Sequence, residues 1–208
     1  MSSSPLICVV DDDDSARNSL RELLESSDYR VEDYSSAIRF LASDSLSRCQ
    51  CLIADVRMPE MDGLALQREL ARRGYKFPII VITGHGDVPL AVRAIKAGAA
   101  DFLEKPFKED VLLGSVENAL RIAAAPARLA PVSSVIAKNI AELTEREREV
   151  MELLILGDAN KEIARKLSIS FRTVEIHRAR VLSKMESRSV AELVRMVLTV
   201  RPEPPGPA

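Results

Sequence analysis

Five times in the first 124 residues a short strand-like run gives way to a helical pattern, and few folds accommodate that alternation. The runs are Leu6–Val10, Arg30–Tyr34, Cys51–Asp55, 77–83 and Asp101–Glu104. An amphipathic stretch with Leu20, Leu23 and Leu24 on one stripe follows the first, and Ser35 is placed to cap a short helix carrying Ile38, Phe40 and Leu41 after the second. Further helices are expected at 63–73, at 88–97 and, after Lys105-Pro106, to about 124. A strand–helix unit repeated five times predicts the α/β class, with a doubly wound parallel sheet and helices on both faces. The unbroken apolar character of 51–54 and 77–83 suits strands buried on both faces. In such open sheets ligands bind outside the C-terminal ends of the strands, where this chain places Asp11, Asp55, Thr83 and Lys105.

The second part reads differently. Between 122 and 139 the alternation stops, and Pro126 and Pro131 interrupt an Ala-rich segment, so a linker with at most helical pieces is expected. From Ile140 the pattern is wholly helical. Thr144-Glu145-Arg146-Glu147 matches a capping box for a helix ending at Gly157, and further helices are expected at 160–167, 171–185 and 189–200. The resulting plan is a domain at 1–122, a linker at 123–139, an all-α four-helix domain at 140–200 and a disordered Pro-rich tail at 201–208.

Charge divides along the same line. Residues 1–137 hold 16 Lys and Arg against 20 Asp and Glu, whereas 161–195 hold nine against four. An acidic module joined to a basic one points to nucleic acid as a partner of the second. No run approaches the length needed to span a bilayer, and the first residues carry no leader pattern, so a cytoplasmic protein without membrane association is expected. Cys8, Cys49 and Cys51 lack metal-ligand spacing and read as small core residues in a reducing compartment. His85 reads as a loop residue.

With strand order 2-1-3-4-5, strands one and three flank the switch point, which sets Asp11 and Asp12 about one strand spacing (~5 Å) from Asp55. Three converging carboxylates call for a cation, and oxygen-only ligation favours Mg²⁺ or Mn²⁺. Thr83 and Lys105 complete a cradle for phosphoryl oxygens, with Asp55 as the group attacking phosphorus. Asp13 and Asp14 are expected in the loop and first turn of the following helix, where negative charge is favourable.

Asp-Asp after strand one, Asp55-Val-Arg-Met-Pro-Glu-Met-Asp-Gly63 after strand three, Thr83-Gly84 after strand four and Lys105-Pro106-Phe107 after strand five resemble the receiver domain of two-component response regulators, with its flavodoxin-like fold. The resemblance covers residues 6 to about 122. It implies that Asp55 accepts a phosphoryl group from a sensor histidine kinase. It also implies that Asp12, Asp55 and the backbone carbonyl of Arg57 ligate Mg²⁺, with Asp11 acting partly through water. Thr83 and Lys105 would contact the acyl phosphate, and Phe102 would be the aromatic switch coupled to Thr83. A cis bond before Pro106 is a further implication. Phe102 lacks the hydroxyl that a Tyr would offer, which removes any hydrogen-bonded form of the switch.

Helix, short turn, helix on a basic surface is the pattern of a helix-turn-helix DNA reader. In the helix starting at Phe171, residues Val174, His177, Arg178, Val181, Leu182 and Met185 recur at helical spacing as core or rim. Arg172, Glu175, Ile176, Ala179, Arg180 and Ser183 then face outwards. Arg suits guanine, Glu suits the cytosine amino group, and Ile or Ala suits a thymine methyl. Lys161, Lys184 and Arg188 are candidates for phosphate contacts, with Thr173 and Arg178 as further DNA contacts. The segments 143–150, 160–164 and 173–177, with Gly157 and Ile169-Ser170, resemble the LuxR-type output domain. Receiver plus LuxR-type output resembles the FixJ-like class of transcription regulators. The Glu175 position often carries Lys in that family.

The expected function is a transcription factor switched by phosphorylation, dimerising when phosphorylated on double-stranded promoter half-sites, with RNA polymerase as a further candidate partner. It is not expected to be an enzyme. Two alternatives remain open at this stage. One is a DNA-binding regulator of the same fold whose binding ignores phosphorylation. The other is a Mg²⁺-dependent aspartyl-phosphate phosphatase of the haloacid-dehalogenase type, against which stands the absence of its DxDx(T/V) pattern after strand one. A nucleotide-binding domain is disfavoured because no Gly-rich loop follows strand one.

Overall fold

A computed structural model describes residues 4–84, 88–124 and 130–201, and the side chains of 130–133 stand outside that description. The reading of His85 as a loop residue and of 202–208 as a disordered tail lies outside the described residues, as do linker residues 125–129. Five strands, β1 (Leu6–Val10), β2 (Arg30–Tyr34), β3 (Cys51–Asp55), β4 (Ile79–Thr83) and β5 (Asp101–Glu104), form one sheet in the order β2-β1-β3-β4-β5. Every pairing is parallel. The fold class and strand order expected from the sequence are those observed. β4 is two residues shorter than the apolar run, because Phe77 and Pro78 precede the ladder and Pro78 contributes only its carbonyl, to Leu52 N–H at 2.9 Å.

The helices are α1 (Asp14–Ser26), α2 (Ala37–Leu41), α3 (Gly63–Arg72), α4 (Val88–Lys96) and α5 (Glu109–Ala124), with a 3-10 turn at Asp44–Ser47. Asp13 caps α1 by accepting from the N–H groups of Ser15 and Ala16, so the long acidic run doubles as a helix start. The cap of α2 is Ser36, which accepts from Arg39 N–H, and not Ser35. One core lies between the sheet and helices α1 and α5: Ile7, Val9, Cys51, Ile53, Ile80 and Ile82 meet Leu20, Leu24, Leu112 and Val116. Alternation along each strand sends Cys8, Val10, Leu52, Ala54 and Val81 to the opposite face, where they are also buried. All three cysteines are buried and free, as small core residues should be.

The remaining helices are α6 (Ala130–Ala141), α7 (Glu145–Leu156), α8 (Asn160–Leu167), α9 (Phe171–Lys184) and α10 (Val190–Val200). By contacts the chain divides into two compact units, Met1–Gly86 with Ala97–Ala125 and Asp87–Lys96 with Pro126–Ala208, so α4 is grouped with the helical unit although it is the β4-to-β5 crossover. α6 occupies much of the segment expected to be a linker. Pro131 falls in its first turn, where the missing N–H has no intrahelical partner to lose. Ile136 and Ile140 of α6 are buried with Val150, Met151 and Leu154 of α7, Ile163 of α8, Val174 and Val181 of α9, and Leu193, Val194 and Val197 of α10.

Local chemistry sets the helix ends in this unit. Thr144 and Glu147 form the capping box foreseen for α7, and Gly157 closes that helix in the left-handed region at φ 92°. Ser168 in the left-handed region ends α8, and Ser170 starts α9 by accepting from Thr173 N–H, which makes the short turn of a helix-turn-helix. Among the described residues no helix is long and apolar enough to cross a membrane.

Candidate phosphoacceptor pocket and DNA-reading face

Strand register brings the polar strand ends together. Val10 pairs with Ala54, so the next residues, Asp11 and Asp55, stand level across β1 and β3. Asp55 pairs with Ile82 and Thr83 with Glu104, and Lys105 N–H donates to the Thr83 carbonyl at 2.7 Å. Four strand ends therefore deliver two carboxylates, a hydroxyl and an ammonium to one edge. The Lys105 ammonium donates to Asp11 Oδ2 at 2.6 Å and to Asp55 Oδ1 at 2.8 Å. Arg57 N–H donates to Asp55 Oδ2 at 2.6 Å, and Asp13 N–H to Asp11 Oδ1 at 2.9 Å. The bond preceding Pro106 is cis.

Asp11 and Asp55 are 1% and 6% exposed, which desolvates both carboxylates. Burial pushes the Asp55 carboxyl up, Lys105 and the Arg57 N–H oppose that, and Asp11 adds to it. For Lys105, burial disfavours the charge, but Asp11 and Asp55 outweigh it and raise the ammonium above its ordinary value. Two buried carboxyl groups thus share one ammonium.

The pocket differs from the expectation in one respect. Asp11 and Asp55 converge, but Asp12 is exposed, and the bridge between the two buried carboxylates is Lys105. Among the described residues no three or more His, Cys, Asp and Glu side chains are gathered so that they could hold a metal ion. Thr83 is fully buried, and Phe102 is also buried, paired with Val81 two residues before Thr83 on β4. Arg57 is exposed, so its backbone, not its guanidinium, belongs to the pocket.

Gly63 is a residue whose role the sequence pattern underdetermines. A Cβ at this position would lie 2.2 Å from the Asp55 backbone carbonyl oxygen, and Gly63 N–H donates to the Val56 carbonyl at 3.0 Å. The first residue of α3 is thus pressed against the backbone of the pocket's central carboxylate, which only glycine permits.

On α9 the exposed residues are Phe171, Arg172, Glu175, Ile176, Ala179, Arg180 and Ser183. Successive residues turn about 100° in a helix, so these seven form two neighbouring i, i+4 ridges: Phe171–Glu175–Ala179–Ser183 and Arg172–Ile176–Arg180. Six of the seven are the outward residues expected from periodicity. Phe171 is the one that periodicity did not supply, because a large apolar side chain reads as core until its exposure is known.

Val174 and Val181 are buried on the opposite side, while Thr173, His177, Arg178 and Leu182 lie between. Thr173 Oγ1 is 2.8 Å from Ser170 Oγ, within the cap of α9. Lys161 is exposed on α8. Lys184 is engaged elsewhere: its ammonium donates to Glu147 Oε2 at 2.7 Å and to the Glu142 carbonyl at 3.2 Å, which ties α9 to the start of α7.

Two family models match successive parts of the chain. Residues 7–117 match the response regulator receiver domain, and residues 141–197 match the LuxR family of bacterial regulatory proteins. The chain is 49% identical over 198 residues to the transcriptional regulatory protein FixJ of Azorhizobium caulinodans, covering 95% of this chain and 94% of that one. It is 46% identical over 191 residues to the response regulator protein TmoT of Ectopseudomonas mendocina, covering 92% and 87%. Among solved structures, full-length FixJ from B. japonicum aligns with a TM-score of 0.56 at 45% identity, covering 96% of this chain and 98% of that one. The response regulator StyR aligns with a TM-score of 0.55 at 41% identity, covering 93% and 98%. The chain belongs to the FixJ-like response regulators, in which a receiver domain precedes a LuxR-type DNA-binding domain, in keeping with a phosphorylation-dependent transcription factor.

Proposed function

We propose that Asp55 is the phosphoacceptor, that its donor is the phosphohistidine of a sensor histidine kinase, and that the acyl phosphate formed there controls DNA binding by α9. The observation that carries this reading is the Lys105 ammonium bridging the buried carboxylates of Asp11 and Asp55. A buried carboxylate that accepts from both an ammonium and a backbone N–H is a nucleophile fixed in orientation. In the transfer, an Asp55 carboxylate oxygen forms a bond to phosphorus as the phosphorus–nitrogen bond of the donor breaks, and the donor ring, protonated on its other nitrogen, takes the electron pair and leaves as neutral imidazole. Lys105 can then exchange its bond to Asp55 for the new phosphoryl oxygens, which concentrate the negative charge.

The donor set suits a hard divalent cation. Asp11 and Asp55 converge at the sheet edge, exposed Asp12 adjoins Asp11, and the Arg57 backbone lies against Asp55, so a cation there would meet oxygen donors. Mg²⁺ (or Mn²⁺) held by these four residues would offset the charge of the incoming phosphoryl group. Thr83, buried at the same edge, is the proposed sensor of the phosphoryl oxygens, and Phe102 the aromatic group that repacks with it. Phosphorylation then favours a dimer, placing two copies of α9 on half-sites about one helical turn apart. Cytoplasmic location follows from a promoter-binding role, and RNA polymerase is the natural downstream partner.

On α9, Arg172, Ile176 and Arg180 on one ridge and Glu175 and Ala179 on the other are the proposed base-reading residues, with Lys161 of α8 as a phosphate contact. Thr173 and Arg178 flank that face. Lys184, held by Glu147, is assigned to the fold and not to DNA.

The test is phosphoryl uptake from acetyl phosphate with Mg²⁺, followed by mass spectrometry of the intact chain. Asp55→Asn should lose uptake entirely. A +80 Da species of equal yield in that variant overturns the assignment.

A further inference from the structure

One ridge of α9 begins with an aromatic residue that stands partly in solvent. Phe171 is 45% exposed at the first position of the helix. Phe is a modest helix former, and the first turn of a helix favours acidic residues, yet α9 has no acidic residue there. Ser170 and Thr173 already complete the cap through Oγ···N–H at 3.0 Å and Oγ···Oγ1 at 2.8 Å, so Phe171 has no capping task. Solvent exposure of a phenyl ring at this point costs solubility without gaining stability, unless the ring is covered in the bound state.

Its neighbours specify what covers it. Phe171 heads the ridge that continues through Glu175 and Ala179, one turn from Glu175 and beside Arg172. Exposed Arg172 and Arg180 give this face the charge of a phosphate-facing surface. Ala179, small and exposed on the same ridge, lets the helix approach a surface closely. The apolar group presented in a DNA major groove is the 5-methyl of thymine, and a phenyl ring is among the side chains that recognise it.

We infer that Phe171 is a specificity-determining residue that packs against a thymine methyl at the edge of each half-site. This deepens the reading of α9 as the DNA-contacting helix and rests on it. Four residues of helix advance about 6 Å, and base pairs are spaced about 3.4 Å apart, so this thymine lies one to two base pairs from the base read by Glu175.

The experiment has two stages. Preferred duplexes are first selected from a random-sequence library by the full-length chain with Mg²⁺ and beryllofluoride, in parallel for wild type, Glu175→Gln, Phe171→Ala and Phe171→Leu. Each thymine of the wild-type consensus is then replaced by deoxyuridine, which deletes only the methyl. One replacement per half-site should weaken wild-type binding about fourfold, the factor for one buried methyl-sized group. It should lie within two base pairs of the position whose preference changes in Glu175→Gln. Phe171→Ala should be indifferent to that replacement, and Phe171→Leu should retain the sensitivity.

A wild-type-like deoxyuridine profile in Phe171→Ala overturns the inference. If that variant weakens all duplexes equally, the ring meets sugar and phosphate; if it weakens none, the ring faces something other than DNA. Failure of the wild type to enrich any duplex refutes the DNA-reading assignment of α9 itself.

Discussion

The pocket at the sheet edge and the reading face of α9 handle their functional side chains in opposite ways. In the pocket the groups are buried and already engaged with one another: Lys105 holds Asp11 and Asp55, the backbone of Arg57 holds Asp55, and Gly63 leaves no space behind it. On α9 all seven outward residues are exposed, and the packing that fixes the helix comes from the other side through Val174 and Val181. Chemistry on a carboxylate needs a dry, preorganised site, whereas reading base edges needs side chains free to meet a partner. Substitutions in the pocket should therefore disturb fold and function together, and those on the ridges should separate them.

The largest expected effect is at Gly63. An alanine there would place its Cβ against the Asp55 carbonyl, so Gly63→Ala should destabilise the sheet unit by about 3 kcal/mol in urea unfolding, the upper range for forced overpacking. A loss under ~0.5 kcal/mol would mean that the backbone behind Asp55 yields easily, and the contrast with α9 would weaken.

A smaller effect is expected at Glu147, which belongs to the helical unit yet behaves like a pocket residue. It is buried, the Lys184 ammonium and the Thr144 N–H hold its carboxyl down to about 2, and it completes the cap of α7. Because this pKa is depressed on folding, the stability it contributes is fully present above about 4.5 and disappears as pH falls towards about 2. Glu147→Gln keeps an acceptor for Thr144 N–H but loses the charge, and should cost about 1.5 kcal/mol at neutral pH. Thermal melting of wild type and variant should converge as pH falls through that window. A constant gap would assign the loss to packing alone.

The smallest effect on stability is expected at Arg172, exposed on the second ridge. Arg172→Ala should change unfolding by no more than about 0.5 kcal/mol while weakening binding to selected duplexes by tenfold or more. A large loss of stability would show that the ridge is part of the fold, and the proposed separation would fail.

The legibility of these two sites in the sequence differs for the same physical reason. Asp11, Asp55, Thr83 and Lys105 were recognisable because parallel strands bring their C-terminal ends to one edge, so a list of strand-end residues is already a list of neighbours. The outward set on α9 followed from a period of 3.6. Phe171 is absent from that set, because helical period alone does not decide which way a large apolar side chain at a helix start faces. Ser36 in place of Ser35 as the cap of α2 is a shift of one residue between two equivalent side chains. α6 was obscured by Pro131, which breaks a helix interior but is tolerated in a first turn.

The amino-acid order alone determined the strand–helix alternation, the order in which polar residues arrive at the sheet edge, and the two periodicities that separate core from surface. These are local properties, set by backbone geometry and side-chain polarity within a few residues. Only the tertiary structure decided that Lys105 bridges Asp11 and Asp55 while Asp12 stays exposed, that Gly63 backs the pocket, and that Lys184 serves Glu147 instead of a nucleic acid. The bridge and the Lys184–Glu147 pair join residues distant in the chain, and the Gly63 contact depends on how the backbone turns after β3, so packing in space decides them and leaves no pattern along the sequence.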